Sequence, residues 1–229
     1  LAMSEGKRYG TNENPAFYLA DPDTGAVSEL CDLDPSLRST VGSDCRYGGG
    51  SRKAIGDSWY YTSTRGYDSF IVRFSFDETE TVVSPQLHGS IDCFDYANGT
   101  FYYVAMRDNG LQEIYCCKEN GEEQKLTHFN DEYLASHSVS PLKELCFTDS
   151  DGVEIDGWVI EPVGYDPNQS YPAILDIHGG PKTFTELCSI TKCSTGQTAV
   201  TLYSSAIHAA ETEEETALQT SAELWTGRL

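Results

Sequence analysis

The sequence predicts a mainly β fold in which repeated propeller-type sheets lead into the first strands of a mixed, buried sheet. Three observations carry that reading. An aromatic strand pattern recurs at an offset of 42 residues, Asp/Asn/Gly turns punctuate alternating strands, and a short apolar run ends abruptly in His178-Gly179-Gly180-Pro181.

The repeat comes first along the chain. Ser58-Trp-Tyr-Tyr-Thr-Ser-Thr-Arg65 aligns with Thr100-Phe-Tyr-Tyr-Val-Ala-Met-Arg107. Each is followed by a polar turn, at 66–69 or 108–110, and then by a second alternating strand, at 70–76 or 112–117. A partial third copy comprises a strand at 16–20, a turn at 21–25 and a strand at 26–30. Turn-punctuated strand pairs at a period of roughly 40 to 45 residues are the signature of β-propeller blades. Trp59 and Phe101 are then expected at equivalent positions of successive blades. Two and a half copies cannot close a ring, which takes at least about four blades. The competing reading is a β-sandwich with coincidental spacing.

Composition narrows the function classes. The chain has 229 residues, enough for one large or two small domains with a real core. Its 36 acidic against 15 basic side chains argue against a nucleic acid partner, because the acidic excess repels a phosphate backbone. No apolar run approaches the ~18 residues needed to span a bilayer, so a membrane role is not expected. The start, Leu-Ala-Met-Ser-Glu-Gly-Lys-Arg, lacks a signal peptide's apolar core, and its leading Leu1 suggests an incomplete start. Eight cysteines without any C-x-x-C spacing read as buried strand thiols of a cytoplasmic protein rather than disulfides or a metal site.

The organisation changes near Asn130. A strand at 144–148, the turn Asp149-Ser-Asp-Gly152 and an alternating strand at 153–160 form a hairpin. The turn aspartates do not make a calcium loop, since Gly152 comes too early for one. A linker at 162–170 then delivers the chain to Tyr171-Pro-Ala-Ile-Leu-Asp-Ile-His-Gly-Gly-Pro181. An apolar strand this short suits burial on both faces of a sheet. The glycines after it let backbone N–H groups approach a substrate oxygen.

Taken in order, these segments resemble the prolyl oligopeptidase family of serine peptidases. The matching residues are Gln124-Lys-Leu-Thr127, Asn130-Asp-Glu-Tyr-Leu134, Ser150-Asp-Gly152, Gly157-Trp-Val-Ile-Glu-Pro162 and the strand ending in His178-Gly-Gly-Pro181. The pattern is closest to the dipeptidyl-aminopeptidase and acylaminoacyl-peptidase branch. The resemblance implies that 1–136 holds the last two to three blades of a seven-bladed propeller and that 137–183 begins an α/β-hydrolase domain. It further implies cleavage of short peptides through an acyl-enzyme, with Ser attacking, His as base and Asp orienting it. Of the family's functional residues, only His178, Gly179 and Gly180 carry over, as the loop flanking the oxyanion hole. No catalytic serine, aspartate or histidine is assigned, and no cofactor or metal is expected. His88, His128 and His137 read as turn residues, His208 as incidental, and Ser194-Thr-Gly196 lacks the glycine an elbow requires.

Residues 184–229 depart from the family pattern. They contain no Pro, and Thr plus Ser make up 14 of 46 residues. With the degenerate third letters of each codon chosen freely, restoring one nucleotide after Thr183 allows the segment through Ala210 to read as a string that resembles the one the family places after His-Gly-Gly-Pro, including a Gly-Tyr strand and an Asn-Pro-Arg-Gly loop. The tail therefore reads as frameshifted, loosely packed, and with at most one helix over 206–224. The strand at 173–177 is expected to lack its later neighbours. A different class of function, a non-catalytic β-rich module that binds a ligand or protein, is the alternative. A lipase or esterase fits less well, given the preceding repeat and Pro181.

Overall fold

The structure, a computed structural model, describes residues 2–3, 15–31, 37, 41–42, 49–66, 68–75, 79–108, 110–140, 142–148, 150, 152, 154–177, 184–185 and 200–205. The first sheet joins β1 (Ala2–Met3), β2 (Ala16–Ala20) and β3 (Val27–Cys31), all antiparallel. Asp21 organises the turn between β2 and β3. Its Oδ1 accepts the N–H of Asp23 at 2.8 Å and that of Thr24 at 3.1 Å. A two-residue bridge, β4 (Val41–Gly42), follows.

Two four-stranded antiparallel meanders come next. The first blade runs β5 (Arg52–Ile55), β6 (Ser58–Arg65), β7 (Asp68–Ser75), β8 (Thr79–Val82); the second runs β9 (Gly89–Ala97), β10 (Thr100–Arg107), β11 (Glu113–Lys118), β12 (Gln124–Lys125). Trp59 and Phe101 are each the second residue of their blade's second strand, as the repeat requires. Asn98 and Gly99, with φ of 50° and 79°, close the β9–β10 hairpin in the left-handed conformation that such two-residue turns need. Gly89 enters β9 at φ 120°, and a Cβ there would lie 1.9 Å from the Met106 carbonyl oxygen.

The repeat persists at the level of single hydrogen bonds. Val83 N–H donates to Ile71 O at 2.9 Å, and Leu126 N–H donates to Ile114 O at 2.8 Å. Ile71 N–H meets Ser84 Oγ at 3.0 Å, and Ile114 N–H meets Thr127 Oγ1 at 2.8 Å. Each blade also carries a three-residue clasp. The Tyr61 hydroxyl donates to Glu80, which Arg65 Nη2 grips at 2.7 Å. The Tyr103 hydroxyl donates to Glu123 Oε2 at 2.6 Å, and Arg107 binds the same carboxylate through Nε and Nη2.

Sheets stack face to face through aromatic rings. Phe17 of the first sheet stacks on Phe74 at 4.1 Å and tilts against Tyr61 at 6.0 Å. Tyr60 of the first blade meets Phe101 of the second at 5.4 Å, within a core that also buries Ile71, Val83, Ile91, Tyr103 and Tyr115. Polar groups stitch the same interface. Ile91 N–H donates to Ser69 Oγ at 2.7 Å, Phe94 N–H to Gly50 O at 2.9 Å, and Asn120 N–H to Val83 O at 3.0 Å. The ion pairs Lys53–Asp95 and Arg73–Glu119 cross between the blades.

A short helix not anticipated from the sequence, α1 (Asp131–Ser136), leads out of the second blade. Its Leu134 covers Met106. Beyond it lies the second architecture. β13 (Leu142–Thr148) and β14 (Glu154–Ile160) form the expected hairpin, and β15 (Ala173–Ile177) coincides with the apolar run. A two-residue bridge, β16 (Phe184–Thr185), pairs in parallel with β4.

One expectation is corrected here. β17 (Val200–Ser205), inside the anomalous tail, supplies the missing neighbour of β15. The sheet order is β13-β14-β17-β15, with β17 antiparallel to β14 and parallel to β15. Val-Thr-Leu-Tyr-Ser-Ser is rich in strand-forming residues, and main-chain bonds on both sides are enough to seat it. The helix expected over 206–224 lies outside the described residues.

Candidate functional site: the carboxyl edge of the mixed sheet

The segment before β15 is built to aim it. Asp166 closes a tight loop, accepting Asn168 N–H and Asn168 Nδ2 at 2.9 Å each and Gln169 Nε2 at 3.2 Å. Those bonds, led by the Asn168 backbone, hold its carboxyl below the usual aspartate range. Tyr171 then anchors the loop. Its hydroxyl accepts Asp166 N–H at 3.0 Å, and its ring lies 5.2 Å from that of Tyr165. On β14, Trp158 and Ile160 are buried.

β15 and β17 run in parallel with Ile177 opposite Ser204, so their carboxyl ends finish at one edge. Parallel sheets place ligand-binding loops at that edge, because strand ends there open into turns that expose backbone N–H groups. Ile177 is the residue immediately before His178. His178, Gly179 and Gly180 themselves lie outside the described residues, as do Ser194 and His208.

The three described histidines that the sequence placed in turns all bind neighbours there. His88 Nδ1 is 3.1 Å from Asp68 Oδ2, while Asp68 Oδ1 accepts Gly89 N–H at 2.8 Å; the pair fastens the start of β9. His128 lies 2.7 Å from Asp131, which also holds Lys125 at 2.6 Å. Lys125 first, then His128, keeps that carboxyl below its ordinary range. Ser136 and His137 are in contact at 3.0 Å, a superficial likeness to a nucleophile and base. Yet Ser136 Oγ donates to Tyr133 O at 2.9 Å, and the His137 ring stacks on Tyr133 at 4.0 Å. That is a helix end, with both groups turned to local partners. Among the described residues no cluster of three His, Cys, Asp or Glu could hold a metal.

Sequence reasoning missed one buried polar centre, at the junction between the two architectures. Glu113, 3% exposed, takes Asn130 N–H at 2.8 Å, Phe129 N–H at 3.1 Å, Asn130 Nδ2 at 3.1 Å and the Thr127 hydroxyl. Burial pushes its carboxyl up, but the bonds from Thr127, Asn130 and Phe129 outweigh that and hold it below the usual glutamate range. The Asn130 side-chain Nδ2 also donates to Gln112 O at 2.8 Å, and its side chain makes no cap to α1. The only sequence signal was the Asn130-Asp-Glu-Tyr-Leu134 segment, whose partner lies 17 residues upstream.

Comparison with known proteins agrees with this geometry. The chain is 38% identical over 184 residues to the uncharacterized peptidase YuxL of Bacillus subtilis, a match covering 76% of this chain and 28% of the relative. No family model matches the sequence. Among solved structures, Pyrococcus horikoshii acylaminoacyl peptidase superposes with a TM-score of 0.67 at 20% identity, over 89% of this chain and 30% of that one. Porphyromonas gingivalis dipeptidyl peptidase 4 gives 0.60 at 14% identity, over 84% and 27%. Blades followed by an antiparallel hairpin and parallel strands define the propeller-plus-α/β-hydrolase class of peptidase. Within it, the chain belongs to the prolyl oligopeptidase family. It spans under a third of the length of the relatives it matches.

Proposed function

We propose that this chain is the propeller-to-hydrolase portion of a cytoplasmic serine peptidase that cleaves short peptides through an acyl-enzyme. In the intact enzyme, His178, Gly179 and Gly180 flank the oxyanion hole, where N–H donors stabilise the tetrahedral oxyanion. The observation that supports this is the seating of β15 beside β17, which ends β15 at Ile177 on the carboxyl edge of a parallel pair, the edge where such sheets take ligands. Four free thiols among the described residues, Cys93, Cys116, Cys117 and Cys146, favour a reducing compartment. No described helix is long and apolar enough to cross a membrane.

The chain as given has no activated serine in this reading. It should not hydrolyse aminoacyl or dipeptidyl reporter substrates, nor react with a fluorophosphonate probe, which needs a nucleophile paired with a base. Stoichiometric labelling of any serine would overturn the assignment. We further propose that residues 184–229 are read out of frame. The restored reading places its Gly-Tyr strand over the same positions that β17 occupies, which supports a strand slot at 200–205 in either frame. The coding nucleotides around Thr183 test this directly, and an intact frame there refutes it.

A further inference from the structure

The sequence contains three Asn-Gly pairs, at 98–99, 109–110 and 120–121, and all three fall within the second blade. Chemically they are alike. In each, the glycine nitrogen can attack the asparagine side-chain carbonyl carbon, since glycine has no Cβ to obstruct the approach. The fold separates them. Gly121 N–H donates to Lys118 O at 2.8 Å, and Asn120 N–H donates across the blade interface to Val83 O at 3.0 Å. Gly110 N–H donates to Arg107 O at 3.0 Å. Asn98 and Gly99, by contrast, are exposed at the tip of the β9–β10 hairpin, and a Cβ added to Gly99 would meet nothing within 4 Å. Among the described residues, neither the Gly99 N–H nor the Asn98 side chain has a hydrogen-bond partner.

We propose that Asn98 is a self-modification site, at which the Gly99 nitrogen displaces the side-chain amide as ammonia. Water is the only co-reactant. The bond from Gly99 N to Asn98 Cγ forms, the Cγ–Nδ2 bond breaks, and the Gly99 N–H proton leaves with the ammonia. One water then opens the succinimide, adding hydroxyl to a carbonyl carbon and returning a proton to the ring nitrogen. Opening at Cγ leaves the chain running through the main-chain carbonyl, with aspartate at the site. Opening at the main-chain carbonyl leaves isoaspartate, with the chain running through the side chain. Both reacting atoms belong to one turn, so the rate follows how often that turn opens to align them. Around Asn98 the turn is closed by the Ala97–Thr100 pair, whereas the Asn120 turn must also release Val83 O and Lys118 O.

The isoaspartate product reaches the core. It adds one main-chain carbon to a two-residue turn whose length sets the strand register. The next pair inward is Tyr96 and Phe101, with rings 4.9 Å apart, and Phe101 is fully buried between the blades. Peptide mapping of the native chain, aged in mildly alkaline buffer, tests the assignment. Asn98 should lose ammonia at least about tenfold faster than Asn109 or Asn120, and in concentrated urea the three rates should converge. An isoaspartyl-specific carboxyl methyltransferase supplied with S-adenosylmethionine should label the aged chain at position 98. Asn98→Gly, which the left-handed turn accepts, should fold and lose both the ammonia release and the methyl label at that turn. The labelled form should unfold at a lower Tm than the fresh chain. A native-chain rate at Asn109 or Asn120 equal to that at Asn98 overturns the proposal, as does an aged chain that keeps its amide at position 98.

Discussion

The two blades share a backbone plan and a Tyr–Arg–Glu clasp, but the clasp's arginine is exposed in one and buried in the other. The Arg65 side chain is 45% exposed, and Arg107 only 10%, each gripping a glutamate by the same Nη2 contact at 2.7 Å. The cause is one neighbouring position. Where the first blade has Val72 opposite Tyr61, the second has Tyr115 opposite Tyr103, and the Arg107 guanidinium lies about 6 Å from both rings. Burial also pushes the Tyr103 hydroxyl well above its ordinary range, with Glu123 adding to the effect. A repeat thus copies contacts faithfully while leaving their energies to the neighbours. Burial decides what a copied contact is worth.

Substitutions at paired positions can break or sharpen that contrast. The largest difference is expected at Phe101, which is fully buried, against Trp59, which is 39% exposed at the equivalent site. Phe101→Ala should cost about 3–5 kcal/mol in urea unfolding, and Trp59→Ala about 1–2. Equal losses would show that the blades are not packed as described. Next comes Arg107→Ala, which strands a buried Glu123 and should cost about 3 kcal/mol, against at most about 1 for Arg65→Ala. Replacing Tyr115 with Val should shrink the gap between those two arginines, and a gap that persists would remove the ring-shielding explanation.

The smallest effect concerns the junction carboxylate. Glu113 is held below its unfolded pKa, so its contribution is fully present above the unfolded value and is lost as pH falls through the folded one. Stability should therefore drop below about pH 4.3 in the native chain. Glu113→Gln should cost about 1–2 kcal/mol at neutral pH and flatten that part of the acid limb. An unchanged acid limb in Glu113→Gln would assign the titration to exposed carboxylates such as Asp95 and Asp131.

Much of this architecture could be read before any coordinates. β2, β6 and β10 fall where the aromatic runs put them, because such strands bury at least one face and so show it in composition, and β15 coincides with its apolar run. The flanking strands β5, β8, β9 and β12 escaped detection. Arg52-Lys-Ala-Ile55 and Thr79-Glu-Thr-Val82 are short, mixed and at most half-buried, so only pairing with β6 and β7 identifies them. The six-residue α1 was invisible for a similar reason, having no buried face in its own sequence. The Glu113 centre joins groups 14 to 17 residues apart, and nothing local marks either end. At the candidate site, the strand was legible, whereas the seating of β17 depends on long-range pairing that no local pattern encodes.

The position of β17 also constrains the order in which the molecule is made. Each blade closes on strands adjacent in sequence, so it can form soon after its last strand leaves the ribosome. The mixed sheet cannot. β14 and β15 never touch through the main chain; the strand that joins them arrives 23 residues after Ile177. Until Val200 to Ser205 has been synthesised, a growing chain carries two unpaired strand edges beside an already folded propeller segment. Nascent chains stalled in that interval are the ones a trigger-factor-like holdase would be expected to capture, and those a few residues longer would be released.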